Sequence, residues 1–409
     1  MIVIGGGLGG LFCAALAGRD HDVLLFEKSP TLGGRFRNIV HEGYSLTTGA
    51  LHMVPHGSSG PVSTILSRAG ADCQIVDSRP WATFLLDGKE KRFHVLRKEF
   101  PVREKMGVAR LIMEMKYTSG NSESVGDLLC HRFDNPLYHS MAKCFLGWSL
   151  SAKPSDVPTH DMFAIVKNTF KFGGPGVPVG GCSGVISALL SAMPPGVRIM
   201  RAKVVSIVVE EGAVKGVVTD DGTFYEDSLV ISDMGVKKTV GCCPKNEIPS
   251  DYRKRVDALR PSGGIKINIS ADKSLIGHTG VLFPLDAEKV EGVIQPTNVD
   301  PSLAPEGKEL LMSHQTLTGK NIRREISQGI ADLEEIFKGK EFSVINAQTY
   351  YGANPVNHAS QGQDFSPQMP VDGLYLVGDG VKGLGGIEVE GIAMGVLSLM
   401  RELGVRPSG

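Results

Sequence analysis

No apolar run in the sequence reaches the roughly 18 residues that a membrane-spanning helix requires. Charge of one sign is equally scarce as a feature: 43 Lys and Arg stand against 44 Asp and Glu, and no basic run stands out. A nucleic-acid partner is therefore not expected. The seven cysteines, at positions 13, 73, 130, 144, 182, 242 and 243, are odd in number and form neither a disulfide framework nor a CxxC metal pattern. They read as reduced thiols of a cytoplasmic protein with no metal site. A secretory signal is not expected either, because Met1 to Ile4 already read as the first strand of a fold. Glycine is abundant, at 51 residues, but has no fixed period, which excludes collagen and solenoid architectures.

What is present is a 409-residue chain of globular composition, 42% hydrophobic and 21% charged, with material for two domains. It opens as strand (Met1 to Ile4), glycine turn (Gly5 to Gly10), helix (Leu11 to Ala17) and strand (Val23 to Phe26), a parallel βαβ start. From about Pro80 to Phe170 longer amphipathic stretches predict a helical region, with helices over Val102 to Lys116, Val125 to Arg132 and Pro136 to Leu146. A Gly/Pro-rich connector, Lys171 to Gly184, precedes β-prone runs broken at Glu211-Gly212 and Asp221-Gly222, which are hairpin signals. Strands are predicted at Gly263 to Ala271 and Glu309 to Gln315, and a helix over Asn321 to Phe337. The chain closes on strand (Leu374 to Val377), glycine turn and helix (Ile387 to Leu403).

Gly5-Gly6-Gly7-Leu8-Gly9-Gly10 fits GxGxxG. Gly5 makes the tight turn, Gly7 lets backbone approach a diphosphate, and Gly10 lets helix and strand pack closely. The helix N-terminus supplies amides and a positive dipole end. Glu27 ends the second strand, where a ribose-binding carboxylate belongs. Gly33-Gly34-Arg35 follows, a second close-approach turn with a guanidinium for the diphosphate and flavin side, which a domain that binds only NAD does not need. Near the C-terminus, Gly378-Asp379-Gly380 places a carboxylate to accept from ribityl hydroxyls, and Gly385-Gly386-Ile387-Glu388 opens a helix whose N-terminus favours negative charge on a reduced flavin. The cofactor these turns imply is FAD.

With Pro178-Val179-Gly180-Gly181 added, these motifs resemble the phytoene desaturase and flavin amine oxidase superfamily over essentially the whole chain. Gly43 to Ala50 and Leu303-Ala304-Pro305-Glu306-Gly307 look most like its carotenoid and retinoid branch, especially the archaeal phytoene-desaturase-like members. The resemblance implies an α/β, two-domain (α+β) architecture. Its first part is a Rossmann-like FAD-binding domain of the glutathione-reductase and p-hydroxybenzoate-hydroxylase type, expected at 1–78, 176–245 and 345–409. Inserted into it is a substrate domain of mixed sheet plus helices, expected at 79–175 and 246–344. It implies too that the backbone of Val204 meets the adenine and that Gly49, Ala50 and Leu51 line the flavin ring. The expected cofactor contacts are thus Gly5, Gly7, Leu8, Gly9, Gly10, Glu27, Lys28, Gly34, Arg35, Gly49, Ala50, Leu51, Val204, Gly378, Asp379, Gly386 and Ile387. One departure is Thr47, where desaturases commonly carry an Asp before the Thr-Gly pair.

The resemblance implies desaturation, saturation or isomerisation of C=C bonds in an isoprenoid-like substrate by hydride transfer at flavin N5. A flavin amine oxidase, with an aromatic cage and a lysine reaching N5 through water, is the second expectation. The third is a prenyl-binding protein like the Rab escort and GDP-dissociation-inhibitor proteins, which bind without FAD; Glu27, Arg35 and Asp379 speak against it. The sequence names no catalytic acid or base outright. His52 reads first as a structural or ribityl-contacting histidine and second as a candidate proton relay, and Tyr350 and Tyr351 are candidate pocket walls. Glu388 and Glu390 read first as helix N-terminal carboxylates, Cys182 and the Cys242-Cys243 pair as structural thiols, and His278 and His314 as satisfied or exposed residues on strands. The expected partners are a hydrophobic small molecule, an electron acceptor such as a quinone, O2 or a carrier protein, and a membrane surface touched peripherally through Val108 to Met115.

Overall fold

A computed structural model of the chain describes residues 1–49, 51–350 and 365–405. Short apolar β-prone segments (Ile2–Ile4, Val23–Phe26, Val197–Met200, Val230–Ser232 and Leu374–Leu376) form one five-stranded parallel sheet. Leu374–Leu376 lies at one edge and Val197–Met200 at the other, with Ile2–Ile4 in the centre. The two helices that cover it, Leu8–Ala17 and Glu388–Glu402, pack on each other, and every residue of the first is buried. The three-stranded antiparallel sheet Val204–Glu210, Ala213–Thr219 and Phe224–Glu226 turns at the two predicted hairpins.

The second domain is floored by a seven-stranded mixed sheet, in the order Ser343–Tyr350, Gly264–Ala271, Glu309–Thr316, Gly292–Ile294, Val281–Pro284, Ala82–Leu86 and Lys89–Lys91. One expectation is corrected here. The region after Pro80 is not purely helical, since the hairpin Ala82–Leu86/Lys89–Lys91 extends this sheet. At the opposite edge the strand Ser343–Tyr350 pairs with Gly264–Ala271. Four helices, Val102–Tyr117, Val125–Arg132, Pro136–Leu150 and Thr159–Phe172, share an apolar core with one face of the sheet.

The strand Gly264–Ala271 shows how the two domains meet. Alternation along a strand sends successive side chains to opposite faces: Ile265, Ile267 and Ile269 enter a core with Leu333 and Phe337, beneath the helix Ile322–Ile336. Lys266 and Ser270 point the other way, to Thr47 and Tyr44 of the cofactor domain. All eight residues are buried, the polar face included.

Gly10 marks the tightest packing between the first helix and its strand, because a Cβ there would lie 2.0 Å from the Gly5 carbonyl oxygen. Gly241, on the helix Val236–Cys242, has nothing within 4 Å of a built Cβ. Gly10→Ala is expected to destabilise the protein by about 1–3 kcal/mol or more through overpacking. Gly241→Ala is expected to leave stability unchanged or raise it by about 0.4–1 kcal/mol. Urea unfolding of the two variants side by side checks the contrast.

Candidate cofactor and active site

The carboxyl ends of the five parallel strands carry the site. Gly5, Glu27, Asp233 and Gly378 all stand one or two residues past a strand end, where backbone turns expose amides to a ligand. Glu27 accepts from the Gly6 amide at 2.7 Å through Oε2 and from the Ser29 amide at 2.7 Å through Oε1. The Gly33 amide donates to the Gly6 carbonyl at 2.7 Å, and Gly7 bridges Gly33, so the two glycine turns expected at the diphosphate lie against each other. A Cβ on Gly34 would come within 3.3 Å of the Gly7 Cα. Arg35 reaches Asp379 across 344 positions of sequence, Nη2 to Oδ2 at 2.9 Å. Lys382 donates to Asp379 Oδ1 at 2.9 Å and to its carbonyl at 2.8 Å.

The expected contacts cluster on this rim. Gly49 packs on Arg35, Leu51 is buried, and Gly386 and Ile387 lead into the last helix, a Cβ on Gly386 falling 2.3 Å from Gly391 Cα. Val204 begins its strand beside the core that holds Phe26. Lys28 is exposed at the rim. Ala50 and Tyr351 lie outside the described residues.

The chain fits a diphosphate-bearing cofactor. The first-turn amides of Leu8 and Gly9, both buried, have no acceptor among the described residues, the state expected of an anion site at a helix N-terminus. Asp233, which sequence reasoning missed, is wedged among these glycines. Its Oδ2 accepts from the Gly10 amide at 3.0 Å, and a Cβ on Gly7 or Gly378 would fall within 2.4 Å of its carboxylate. Gly378, at φ +96°, holds a left-handed conformation as well. A carboxylate there would repel a diphosphate. Burial pushes the Asp233 acid up to about 7, with the Glu27 and Asp379 charges adding to it, so the neutral form is accessible.

Beside this cradle a cavity of about 430 Å³ opens between the domains, walled by Arg35, Thr48, Gln348, Thr349 and Tyr350. The buried Tyr350 hydroxyl has no hydrogen-bond partner among the described residues. Lys266, the second residue that sequence reasoning missed, is fully buried, with its Nζ 5.8 Å from the Tyr350 ring centroid. It donates to the Thr47 carbonyl at 2.9 Å and to the Thr47 hydroxyl, and Gln348 donates to the same carbonyl at 3.0 Å. Burial pushes its ammonium down to about 7. Thr47, the departure noted in the sequence, is thus the anchor of this amine.

Both ring nitrogens of His52 are engaged by backbone. The ring is fully buried, with Nε2 donating to the Ser45 carbonyl at 2.6 Å and Nδ1 accepting from the Cys182 amide at 3.2 Å. Burial holds it neutral, near 4. Glu390 is a buried cap: it accepts from the Val62 amide at 2.8 Å and the His56 amide at 3.3 Å at the head of the helix Pro61–Ala69. Glu388 is half-buried at φ +42°, its acid pushed up to about 8 by burial and by the Asp379 charge. Cys182 is buried and donates to the Leu51 carbonyl. His314, on its strand, joins Ser151 and Glu291 in a fully buried polar chain, whereas His278 sits in a loop bonded to Thr83. Among the described residues no group of side chains could hold a metal ion.

The fold and this cradle define a two-domain, dinucleotide-binding protein. Residues 3–79 match the NAD(P)-binding Rossmann-like domain family. An uncharacterized protein of Methanocaldococcus jannaschii is 41% identical over 402 residues, covering 97% of this chain and 98% of its own. The crystal structure of an oxidoreductase from Methanosarcina mazei is 38% identical with a TM-score of 0.93, covering 98% of this chain and 99% of that one. A chloroplastic prolycopene isomerase of an Oncidium hybrid cultivar is 25% identical over 391 residues, which cover 78% of this chain and 64% of the plant protein. Putrescine oxidase shares the fold at 16% identity and a TM-score of 0.73, over 99% of this chain and 98% of its own. The chain belongs to the family of the M. mazei oxidoreductase. The cradle fits the FAD that the resemblance implies.

The raised acid of Asp233 has a consequence for stability. As the pH climbs from about 4 the unfolded chain ionises first, at the ordinary 3.8, and the fold loses stability until the native acid ionises near 7. Asp233→Asn removes that loss. Thermal melts of the apoprotein should show the variant gaining on the parent steadily from about pH 4 to about pH 7 and levelling off above it; a constant difference would mean that Asp233 ionises normally.

Proposed function

We propose that the protein exchanges hydride between FAD and a carbon–carbon bond of an isoprenoid-like hydrophobic molecule, which it desaturates, saturates or isomerises. One observation carries the reading: the charge of the cavity. Its walls include Arg35, Lys266 lies buried against Tyr350, and no carboxylate lines it among the described residues. An amine substrate arrives as an ammonium, which no lining carboxylate would pair. A neutral hydrocarbon carries no such penalty, and the likeness to prolycopene isomerase supports the same class.

FAD, when bound, supplies hydride exchange at N5. The chain supplies position and protons. Arg35, paired with Asp379, ties the second glycine turn to the turn at Gly378. Lys266, balanced near neutrality, holds or gives up a proton at Nζ in a site closed to solvent on its strand side. Tyr350 keeps an unspent donor at the cavity wall. A quinone, O2 or a carrier protein is the proposed electron partner, since no second nucleotide motif is visible.

The flavin amine oxidase remains the second reading, because Lys266 and Tyr350 supply a buried amine and an aromatic wall. Anaerobic titration of the purified holoprotein separates the two. The proposal expects the visible flavin absorbance to bleach with a polyprenyl or carotenoid precursor in the desaturase direction, or pre-reduced flavin to reoxidise with an unsaturated one in the saturase direction, and neither change with putrescine. Bleaching by putrescine alone would replace the first reading with the second.

A further inference from the structure

The helix Val102–Tyr117 packs inward through Leu111 and Met115 but leaves a second apolar stripe uncovered. Val102, Met106 and Met113 are 71%, 69% and 55% exposed. Spacings of four and seven residues put them on one helical face, with Ala109, also exposed, between them. Tyr117, at the helix end, is 68% exposed and has the Lys116 ammonium 5.5 Å from its ring centroid. The preceding turn exposes Phe93 and Val95 as well.

This apolar surface is ringed by cations. Residues 89–117 hold nine Lys and Arg against four Glu, in a chain whose net charge is −1. Three of those carboxylates are engaged elsewhere: Glu90 with His278 at 3.2 Å, Glu104 with Asn135 at 3.3 Å, and Glu114 with Arg132 at 2.5 Å. Arg92, Arg97, Lys98, Arg103, Arg110 and Lys116 are exposed. The basic excess is interleaved with apolar residues, so it forms no run in sequence and gathers only when the segment folds.

The patch also leads toward the flavin turn. Residues just past the helix, Asn121 and Gly120, meet the start of Thr159–Phe172, so the two helices run antiparallel. The far end of the second helix exposes Phe170, and there the Asn168 amide donates at 3.0 Å to the carbonyl of Leu384, an exposed residue in the glycine turn before the last helix.

We propose that the segment 89–117 docks the protein onto an anionic lipid surface, with Val102, Met106, Met113 and Tyr117 inserted at the interface and the surrounding Lys and Arg over the headgroups. An exposed apolar stripe flanked by cations is the composition of an interfacial helix. A second copy of the chain is the poorer occupant, because a two-fold contact would set this positive surface against itself. The inference does not depend on which molecule the active site turns over.

The test uses the full-length holoprotein in co-flotation with vesicles of phosphatidylcholine alone and of phosphatidylcholine with phosphatidylglycerol. Binding is expected only to the second, and should be lost at about 1 M salt, where the screening length is about 3 Å. Met106→Asp/Met113→Asp and Lys105→Glu/Arg110→Glu should each weaken it about tenfold or more, while flavin content and melting temperature show that the variants fold. Wild-type protein that stays out of both vesicle fractions would overturn the proposal, as would variants that float like the parent. A dimer in size-exclusion chromatography that the Met106→Asp/Met113→Asp change dissociates would overturn it in favour of self-contact.

Discussion

The cofactor domain depends on backbone passing backbone at the carboxyl ends of its parallel strands. Gly33 donates to Gly6, Gly34 lies over Gly7, and Asp233 fits only because Gly7, Gly9 and Gly378 leave it room. Any side chain at these positions would separate the turns and close the space a diphosphate needs. The Arg35–Asp379 pair then locks residues 344 positions apart, so the first and last segments of the chain form one site. With Arg35 half-exposed, the pair contributes modestly to stability; what it fixes is position.

A second constraint is electrostatic. The chain keeps several ionisable groups wholly or partly from water, and their titrations move in opposite directions. Burial raises Asp233 toward 7, Glu388 toward 8 and Glu390 toward 7, and lowers Lys266 toward 7. Near neutral pH, then, acids that would repel an anionic cofactor approach the uncharged state, and the amine at the substrate cavity shifts its charge with small changes of environment. Such perturbed groups concentrate at functional sites. Glu390 shows why the inference needs geometry: one oxygen is spent on the Val62 amide of the helix Pro61–Ala69 and the other on the His56 amide before it.

The glycine turns were legible because GxGxxG, GGR and the GD turn each carry a mechanism at a fixed spacing, and the flanking strand and helix periods agreed with them. Lys266 was not legible. Ile-Lys-Ile-Asn-Ile-Ser reads as a half-exposed strand with its polar face in water, and only the packing of Thr47 and Tyr44 against that face buries the lysine. Asp233 had no motif, being brought to the first glycine turn by strand order across more than 220 residues. The Ala82–Leu86/Lys89–Lys91 hairpin was hidden by the helical periodicity that follows it. His52, beside the flavin segment, reads first as a structural or ribityl-contacting histidine, and its hydrogen bonds show that it fastens that segment to the turn at Cys182.

The most direct measurement is calorimetric titration of the apoprotein with FAD, and separately with NAD and FMN, under one set of conditions. A cradle built from the first glycine turn, Glu27, the GGR turn and Asp379 predicts tight one-to-one binding of FAD, much weaker binding of FMN, which lacks the adenylate half, and none of NAD. Tight binding of NAD with no heat from FAD would contradict it, and would reduce residues 3–79 to a plain nicotinamide-binding domain.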